Sequence, residues 1–130
     1  RASQRVLAQG LADMGVLTIS AEESMKPEVG LHRRWTLHGV SHHLGLDVHD
    51  CEHARQDMYR DGVLREGMVL TVEPGLYIQP DDELFTPEYR GIGIRIEDDV
   101  IVTANGCRNL SENIPRHPDA IEAWMASILG

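Results

Sequence analysis

The feature that most limits how this chain can fold is an alternating segment at residues 92–97. Three isoleucines in it alternate with glycine, arginine and glutamate, and a period of two predicts a β-strand. Since the side chains of a strand point alternately to its two faces, Arg95 and Glu97 share the face opposite the isoleucines. This is the clearest strand in the sequence, and it carries two charged residues on one face.

The rest of the chain predicts helices at both ends and further strands between them. In order, the sequence predicts a helix over 4–17, a short helix from Ala21, an irregular block over 31–50, strands over 68–73, 92–97 and 100–103, and a closing helix from Pro118. Ser20 and Glu23 have the spacing of a capping box. An apolar stripe that includes Trp124 is expected to pack the closing helix in the core. This order indicates an α+β fold with a mostly antiparallel sheet.

Length, charge and cysteine content limit the classes of function. The 130 residues fit one domain or a piece of one, and 42% apolar residues can fill a core. A net charge of −9 argues against nucleic acids and anionic membranes as partners, because both favour a basic surface. No apolar run approaches the roughly 20 residues that span a bilayer. Cys51 and Cys107 form no Cys-x-x-Cys pair, which disfavours a thiolate zinc site, and reduced thiols in a cytoplasmic protein are expected rather than one disulfide.

Two glutamates end or follow apolar strand segments. Glu73 closes the run Val-Leu-Thr-Val-Glu and shares a face with Thr71, and Glu97 closes the isoleucine strand. For one such residue, a carboxylate that faces solvent at a strand edge is the ordinary explanation. A buried and unpaired carboxylate is costly, so two of them beside a histidine cluster favour a metal site.

Six of the seven histidines lie in the segment from His32 to His53. His38 and His42 are four residues apart, which would place them on one face of a helix, although Gly39 disfavours a regular helix there. His49 follows within the same block. Histidine and glutamate ligands suit manganese, zinc, cobalt or iron, and the residue types do not choose among these metals.

Three segments resemble motifs of one enzyme family, in the same order. Residues 38–50, His-Gly-Val-Ser-His-His-Leu-Gly-Leu-Asp-Val-His-Asp, resemble the histidine motif of the Xaa-Pro aminopeptidases (aminopeptidase P). These enzymes are grouped with prolidase and methionine aminopeptidase among the pita-bread metallopeptidases of family M24. Residues 71–77 and 89–99 resemble the two glutamate motifs, and Ser41 is closer to aminopeptidase P than to prolidase. The resemblance covers nearly the whole chain.

The resemblance implies a fold and a set of metal ligands. The fold would be the C-terminal portion of a pita-bread domain, a mostly antiparallel curved sheet with flanking helices. His42 and Glu73 would bind one metal ion, and Glu97 would bridge two ions. The cofactors would be two divalent ions, with Mn²⁺ expected and Co²⁺ or Zn²⁺ as alternatives.

The resemblance also implies catalytic roles for four residues. Glu73 would handle the proton of the attacking water. His38 and His49 would line the pocket and hydrogen-bond the substrate and the tetrahedral intermediate. Arg95 would hold the carboxylates in place, since a nearby cation favours their ionised form. The substrates would be peptides with proline at the second position, and the whole protein is expected to form a homo-oligomer.

One part of the family pattern is missing. The family uses a pair of aspartate ligands upstream of the histidine motif, whereas Asp13 is the only aspartate before His42. We therefore expect residues 1–130 to be the C-terminal part of a catalytic domain whose N-terminal part, with both aspartates, is absent. Such a chain would carry an incomplete metal site and cleave little Xaa-Pro peptide alone.

Other functions of the same fold remain open. A prolidase-like Xaa-Pro dipeptidase is one alternative. A creatinase-like hydrolase or a non-catalytic pita-bread module that binds peptides or proteins would not need metal ligands. Retention of His42, Glu73 and Glu97 disfavours these last two.

Overall fold

The computed structural model describes all 130 residues and has the predicted helices and strands in the predicted order, with two further short strands, Gly75–Tyr77 and Gly106–Asn109, that the sequence patterns do not predict. The elements are α1 (Ala2–Asp13), α2 (Ala21–Ser24), β1 (Val69–Val72), β2 (Gly75–Tyr77), β3 (Gly93–Arg95), β4 (Asp98–Thr103), β5 (Gly106–Asn109) and α3 (Pro118–Leu129), with single 3₁₀ turns at Leu31–Arg34 and Pro87–Tyr89. All strand pairs are antiparallel. The predicted α+β class is therefore confirmed.

The chain divides into two compact units that alternate along the sequence. The first unit comprises Arg1–Ser41 and Glu73–Glu97, and the second comprises His42–Val72 and Asp98–Gly130. The chain consequently passes from one unit to the other three times, between residues 41 and 42, 72 and 73, and 97 and 98.

The first unit is built on an apolar core beneath α1. Leu11 of α1 is almost fully buried, and so is Trp35, whose ring meets Phe85 edge to face with centroids 5.7 Å apart. Ser20 caps α2 by accepting a hydrogen bond from the Glu23 backbone N–H at 3.1 Å, as the spacing of these residues predicts. The core thus joins the N-terminal helices to the segment after β2.

A buried carboxylate connects this core to the loop after β2. Asp82 accepts hydrogen bonds from the Trp35 indole N–H at 2.7 Å and from Arg34 Nε at 3.1 Å. Burial disfavours the charged form of Asp82, but these hydrogen bonds outweigh it and keep the pKa of the carboxyl below its ordinary value. The loop after β2 is therefore anchored through Asp82, which the sequence patterns do not single out.

The second unit contains a three-stranded sheet in the order β1-β4-β5. A two-residue turn, Ala104 and Asn105, joins β4 to β5, with Thr103 opposite Gly106. At the start of β4, Asp98 is held by the Arg116 guanidinium and by the Ser111 hydroxyl. The hydrogen bonds from Arg116 lower the pKa of Asp98 to about 2. This clamp ties the segment before α3 to the sheet.

The isoleucine strand is shorter than predicted and is not buried. Only Gly93–Arg95 pair as β3, with β2 as the partner, and the three isoleucines of residues 92–97 are exposed. Leu76, directly opposite Ile94 in the β2–β3 pair, packs against the core of the first unit, but Ile92, Ile94 and Ile96 stay outside it.

The expectation that the closing helix packs in the core is wrong for these 130 residues. None of the residues of α3 is buried, and Trp124 is 51% exposed. The stripe has the right helical spacing, but its Trp124, Met125 and Ile128 are exposed. No helix in the structure is both long enough and apolar enough to cross a membrane.

Candidate metal centre

Glu73 sits directly after β1 in a fixed backbone position. Its N–H donates to the Val40 carbonyl at 2.9 Å, and its side chain is only 11% exposed. Thr71 is also buried whereas Val72 between them is exposed, which agrees with the predicted sharing of one face by Thr71 and Glu73. The strand therefore delivers a carboxylate into a largely buried position, where a charge needs a compensating partner.

Arg95 lies beside both Glu73 and Glu97 in the first unit. Its Nη1 is 3.9 Å from Glu73 Oε2, and its Nε is 3.9 Å from Glu97 Oε2. Oxygens of the two carboxylates lie within 4.8 Å of each other. Two carboxylates this close repel each other, and a cation between them offsets that repulsion. Glu97 is more exposed than Glu73, with 40% of its side chain accessible to solvent.

His42 is held by a hydrogen-bonded ladder in the second unit. Its N–H donates to Thr71 Oγ1 at 3.1 Å, and the Thr71 N–H donates to the His42 carbonyl at 3.0 Å. The ring Nδ1 lies 2.9 Å from the carbonyl oxygen of His43. Because a carbonyl can only accept, Nδ1 carries the proton, and Nε2 is the nitrogen with the lone pair that a metal ion needs.

His49 is close to His42 in the second unit. The two rings are edge to face with centroids 4.4 Å apart. His49 is exposed and lines a cavity of about 410 Å³ together with Asp47, Cys51, Glu52, His53 and Ala54. The predicted neighbours His42 and His49 are therefore side by side within their unit.

His38 lies in the first unit and uses both ring nitrogens. Nδ1 is 2.6 Å from the Gly39 carbonyl, and Nε2 is 2.7 Å from the hydroxyl of Tyr77. Sequence reasoning missed Tyr77, although it closes the first glutamate motif and shares a strand face with Gly75. In this arrangement His38 has no N–H left for the predicted hydrogen bond to a substrate.

The histidine block forms no helix. The helical alternative placed His38 and His42 on one face, but the segment around His43 is extended and bridges Leu70 of β1 in an antiparallel manner. His38 contacts Tyr77 instead, and His42 contacts Thr71 and His49. Each of the three predicted ligands, His42, Glu73 and Glu97, stands at one of the three positions where the chain passes between the units.

The donor set fits a divalent metal ion. Carboxylate oxygens and an imidazole nitrogen are ligands that manganese, cobalt and zinc all accept. The Glu73 and Glu97 oxygens are close enough together to share one cation, and Arg95 shows that this position attracts positive charge. The ligand roles of the three residues stay a prediction. The interpretation that an N-terminal part with two aspartate ligands is absent from this chain also stays a prediction.

Comparison with known proteins decides the family. The family model for metallopeptidase family M24 matches residues 1–104. The chain belongs to metallopeptidase family M24. The resemblance that the three motifs predict is thereby confirmed.

Relatives within family M24 share both the sequence and the fold. Xaa-Pro aminopeptidase 1 of Streptomyces coelicolor is 58% identical over 129 residues, which are 99% of this chain and 26% of that protein. The structure of aminopeptidase P from E. coli with the inhibitor Pro-Leu matches with a TM-score of 0.81 and 46% identity, over 95% of this chain and 27% of that one. A zinc-substituted E. coli aminopeptidase P in complex with product matches with the same TM-score, identity and coverage. The predicted pita-bread fold is confirmed, and the chain spans about a quarter of the length of these relatives.

Proposed function

We propose that the protein carrying this chain is a metal-dependent aminopeptidase that hydrolyses the N-terminal Xaa-Pro bond of peptides. The observation that carries the proposal is the position of Arg95, 3.9 Å from both Glu73 and Glu97, in the two glutamate motifs of an M24 chain. Relatives at 58% and 54% identity are named Xaa-Pro aminopeptidases, which favours this activity over a prolidase-like one.

We propose two divalent metal ions as cofactors, with Mn²⁺ as the native metal. When bound, such ions lower the pKa of a water molecule and polarise the scissile carbonyl. His42 would contribute Nε2 to the ion that Glu73 also binds, and Glu97 would serve both ions. The oxygen and imidazole donors suit Mn²⁺ and equally tolerate Zn²⁺, the metal named for one E. coli relative.

The remaining chemistry is assigned to side chains of this chain. Glu73 would take the proton of the attacking water at a carboxylate oxygen and return it to the departing amine. Its low exposure removes competing solvent from that oxygen. Arg95 would keep both carboxylates ionised and oriented, and His49 would line the peptide pocket beside His42.

The decisive experiment replaces Glu97 in the protein that carries this sequence. Glu97→Ala should lower turnover of an Xaa-Pro peptide by at least about 1,000-fold, because it removes a ligand that two ions share. Bound metal, measured by elemental analysis, should fall as well, while circular dichroism stays unchanged because Glu97 is exposed.

Glu83→Gln is the matched control, since Glu83 is an exposed carboxylate of the same unit with no role in the proposal. Undiminished activity in Glu97→Ala would remove Glu97 from the site. Comparison of an Xaa-Pro tripeptide with an Xaa-Pro dipeptide separates the aminopeptidase from a prolidase, which would cleave only the dipeptide.

We further propose a cytoplasmic homo-oligomer. Cys51 and Cys107 are exposed free thiols, which a reducing compartment keeps reduced. The exposed apolar stripe of α3 is a surface that association could cover. Fractionation of cells and light scattering on the purified protein test these two proposals separately.

A further inference from the structure

The hydrogen bonds around His38 specify where its ring proton sits. A neutral imidazole carries one N–H, and the Gly39 carbonyl, 2.6 Å from Nδ1, can only accept. The proton therefore belongs on Nδ1, and Nε2 accepts from the Tyr77 hydroxyl at 2.7 Å. The other neutral tautomer would set the Nδ1 lone pair against the carbonyl oxygen at hydrogen-bond distance.

We propose that Tyr77 is a positioning residue that holds His38 in the neutral tautomer protonated at Nδ1. Gly39 is the next residue in the chain and is exposed. Its carbonyl accepts a hydrogen bond from Nδ1 only when the His38 ring has one orientation. Tyr77 fixes that orientation from the opposite side of the ring, with ring centroids 5.4 Å apart at an angle of 64°. Without the hydroxyl, the ring can turn and the two tautomers mix.

Two glycines make the room in which the Tyr77 ring lies. A Cβ on Gly75 would stand 2.6 Å from the Tyr77 hydroxyl oxygen and 2.9 Å from His38 Nε2. A Cβ on Gly93, directly opposite Tyr77 in the β2–β3 pair, would stand 2.9 Å from Tyr77 Cδ1. All three distances are shorter than a Cβ atom has to a non-bonded neighbour, so any larger residue displaces the tyrosine. Gly75 and Gly93 thus leave the space that lets the Tyr77 hydroxyl reach His38.

The tautomer has a consequence for catalysis that rests on the proposed function. The single N–H of His38 donates to the Gly39 carbonyl, and the ring lone pair accepts from the Tyr77 hydroxyl. His38 therefore donates no hydrogen bond to a peptide. Its part in the reaction is then to present a fixed ring surface, and Tyr77 acts through it. Tyr77 itself is not assigned any contact with the reacting atoms.

Nitrogen NMR of the metal-free protein, labelled with ¹⁵N in its histidine rings, tests the tautomer directly. The His38 signals are identified by their loss in His38→Gln. We expect the Nδ1-protonated pattern in the unchanged protein and a mixture of tautomers in Tyr77→Phe. Tyr89→Phe should leave the pattern unchanged, because the exposed Tyr89 packs on Phe85 and not on a histidine. A pattern protonated at Nε2, or one that Tyr77→Phe leaves intact, overturns the proposal.

A second variant covers the case in which Tyr77→Phe fails to fold. Gly93→Ala keeps the hydroxyl but pushes the ring aside, so it should also mix the tautomers. An intact Nδ1-protonated pattern in Gly93→Ala would count against the placement by the two glycines.

Kinetics of the metal-loaded protein separate the two proposals. Tyr77→Phe should lower kcat/KM by about tenfold, a typical effect of removing a residue that orients a site histidine. In a His38→Ala background the same change should have no further effect, since Tyr77 acts through His38. Independent losses in the double variant would contradict the positioning role. Absence of Xaa-Pro cleavage by the unchanged protein would instead contradict the proposed function and leave the NMR result standing.

Discussion

The two units stabilise themselves in different ways. All the buried apolar side chains belong to the first unit, namely Ala8, Leu11, Leu17, Ala21, Trp35, Ile78 and Phe85. The second unit has a longer hydrogen-bonded sheet and the clamp between Asp98 and Arg116, but its only fully buried side chain is the polar Thr71. Burial of apolar surface in a core stabilises the folded state directly. Hydrogen bonds within the protein largely replace hydrogen bonds to water, so their net contribution to stability is smaller. We therefore expect the first unit to resist unfolding more strongly.

The largest effect should come from the two tryptophans, which form a matched pair across the units. Trp35→Ala should lower the free energy of unfolding by about 3–5 kcal/mol, because it empties the centre of a core and strips Asp82 of a donor. Trp124→Ala should change it by less than about 0.5 kcal/mol, since the side chain is half exposed. Urea unfolding followed by circular dichroism measures both. Equal losses would mean that α3 is packed in solution and would break the comparison.

The clamp of the second unit should give an intermediate effect. Arg116→Ala leaves Asp98 without its guanidinium partner, and we expect a loss of about 1 kcal/mol, the lower end for a charged hydrogen bond, because the pair is partly exposed. Hydrogen exchange should quicken in β4 and β5 and stay unchanged around Trp35. Arg108→Ala, which removes an exposed arginine of β5, is the control. Faster exchange throughout the first unit would show that the units do not open separately.

The smallest effect is a pH dependence that belongs to the first unit. The native pKa of Asp82 lies below its ordinary value of 3.8, so the unfolded chain binds more protons than the folded one in acid. The stabilisation is complete above the ordinary value and is lost as the pH falls through the native value. Unfolding titrations between pH 6 and acid should show a shallower loss in Asp82→Asn than in the unchanged protein. Identical slopes would remove Asp82 from the acid response.

Local signals in the sequence predicted the helices and three of the five strands, for a physical reason. The cap of α2 at Ser20 depends on neighbouring residues alone, so spacing suffices to find it. The same holds for the alternation that buries Thr71 and Glu73 around Val72. The order of the elements and the α+β class follow from such short-range patterns.

What covers an apolar face could not be predicted in this way. The isoleucines of 92–97 and the stripe of α3 have strong periodicity, yet both are exposed here, because periodicity describes a face and not the surface opposite it. Asp82 was missed because its donors, Arg34 and Trp35, are more than forty residues away in the chain.

The residues of the candidate site show the same difference between short-range signals and long-range contacts. Family motifs pointed to the glutamates, the histidines and Arg95, and their roles as ligands and catalysts stay predictions. Tyr77 lies within a quoted motif, but its importance depends on a hydroxyl that reaches His38 across 39 positions of sequence. No spacing rule predicts such a contact.

The placement of Arg95 has one more consequence. A guanidinium is a flat fork with donors on different edges, and here its Nη1 edge points toward Glu73 while its Nε edge points toward Glu97. A lysine ammonium is a single point of charge and can approach only one of these carboxylates closely at a time. Exchange of arginine for lysine, though it preserves the charge, would therefore uncouple the two acids and let each move independently of the other.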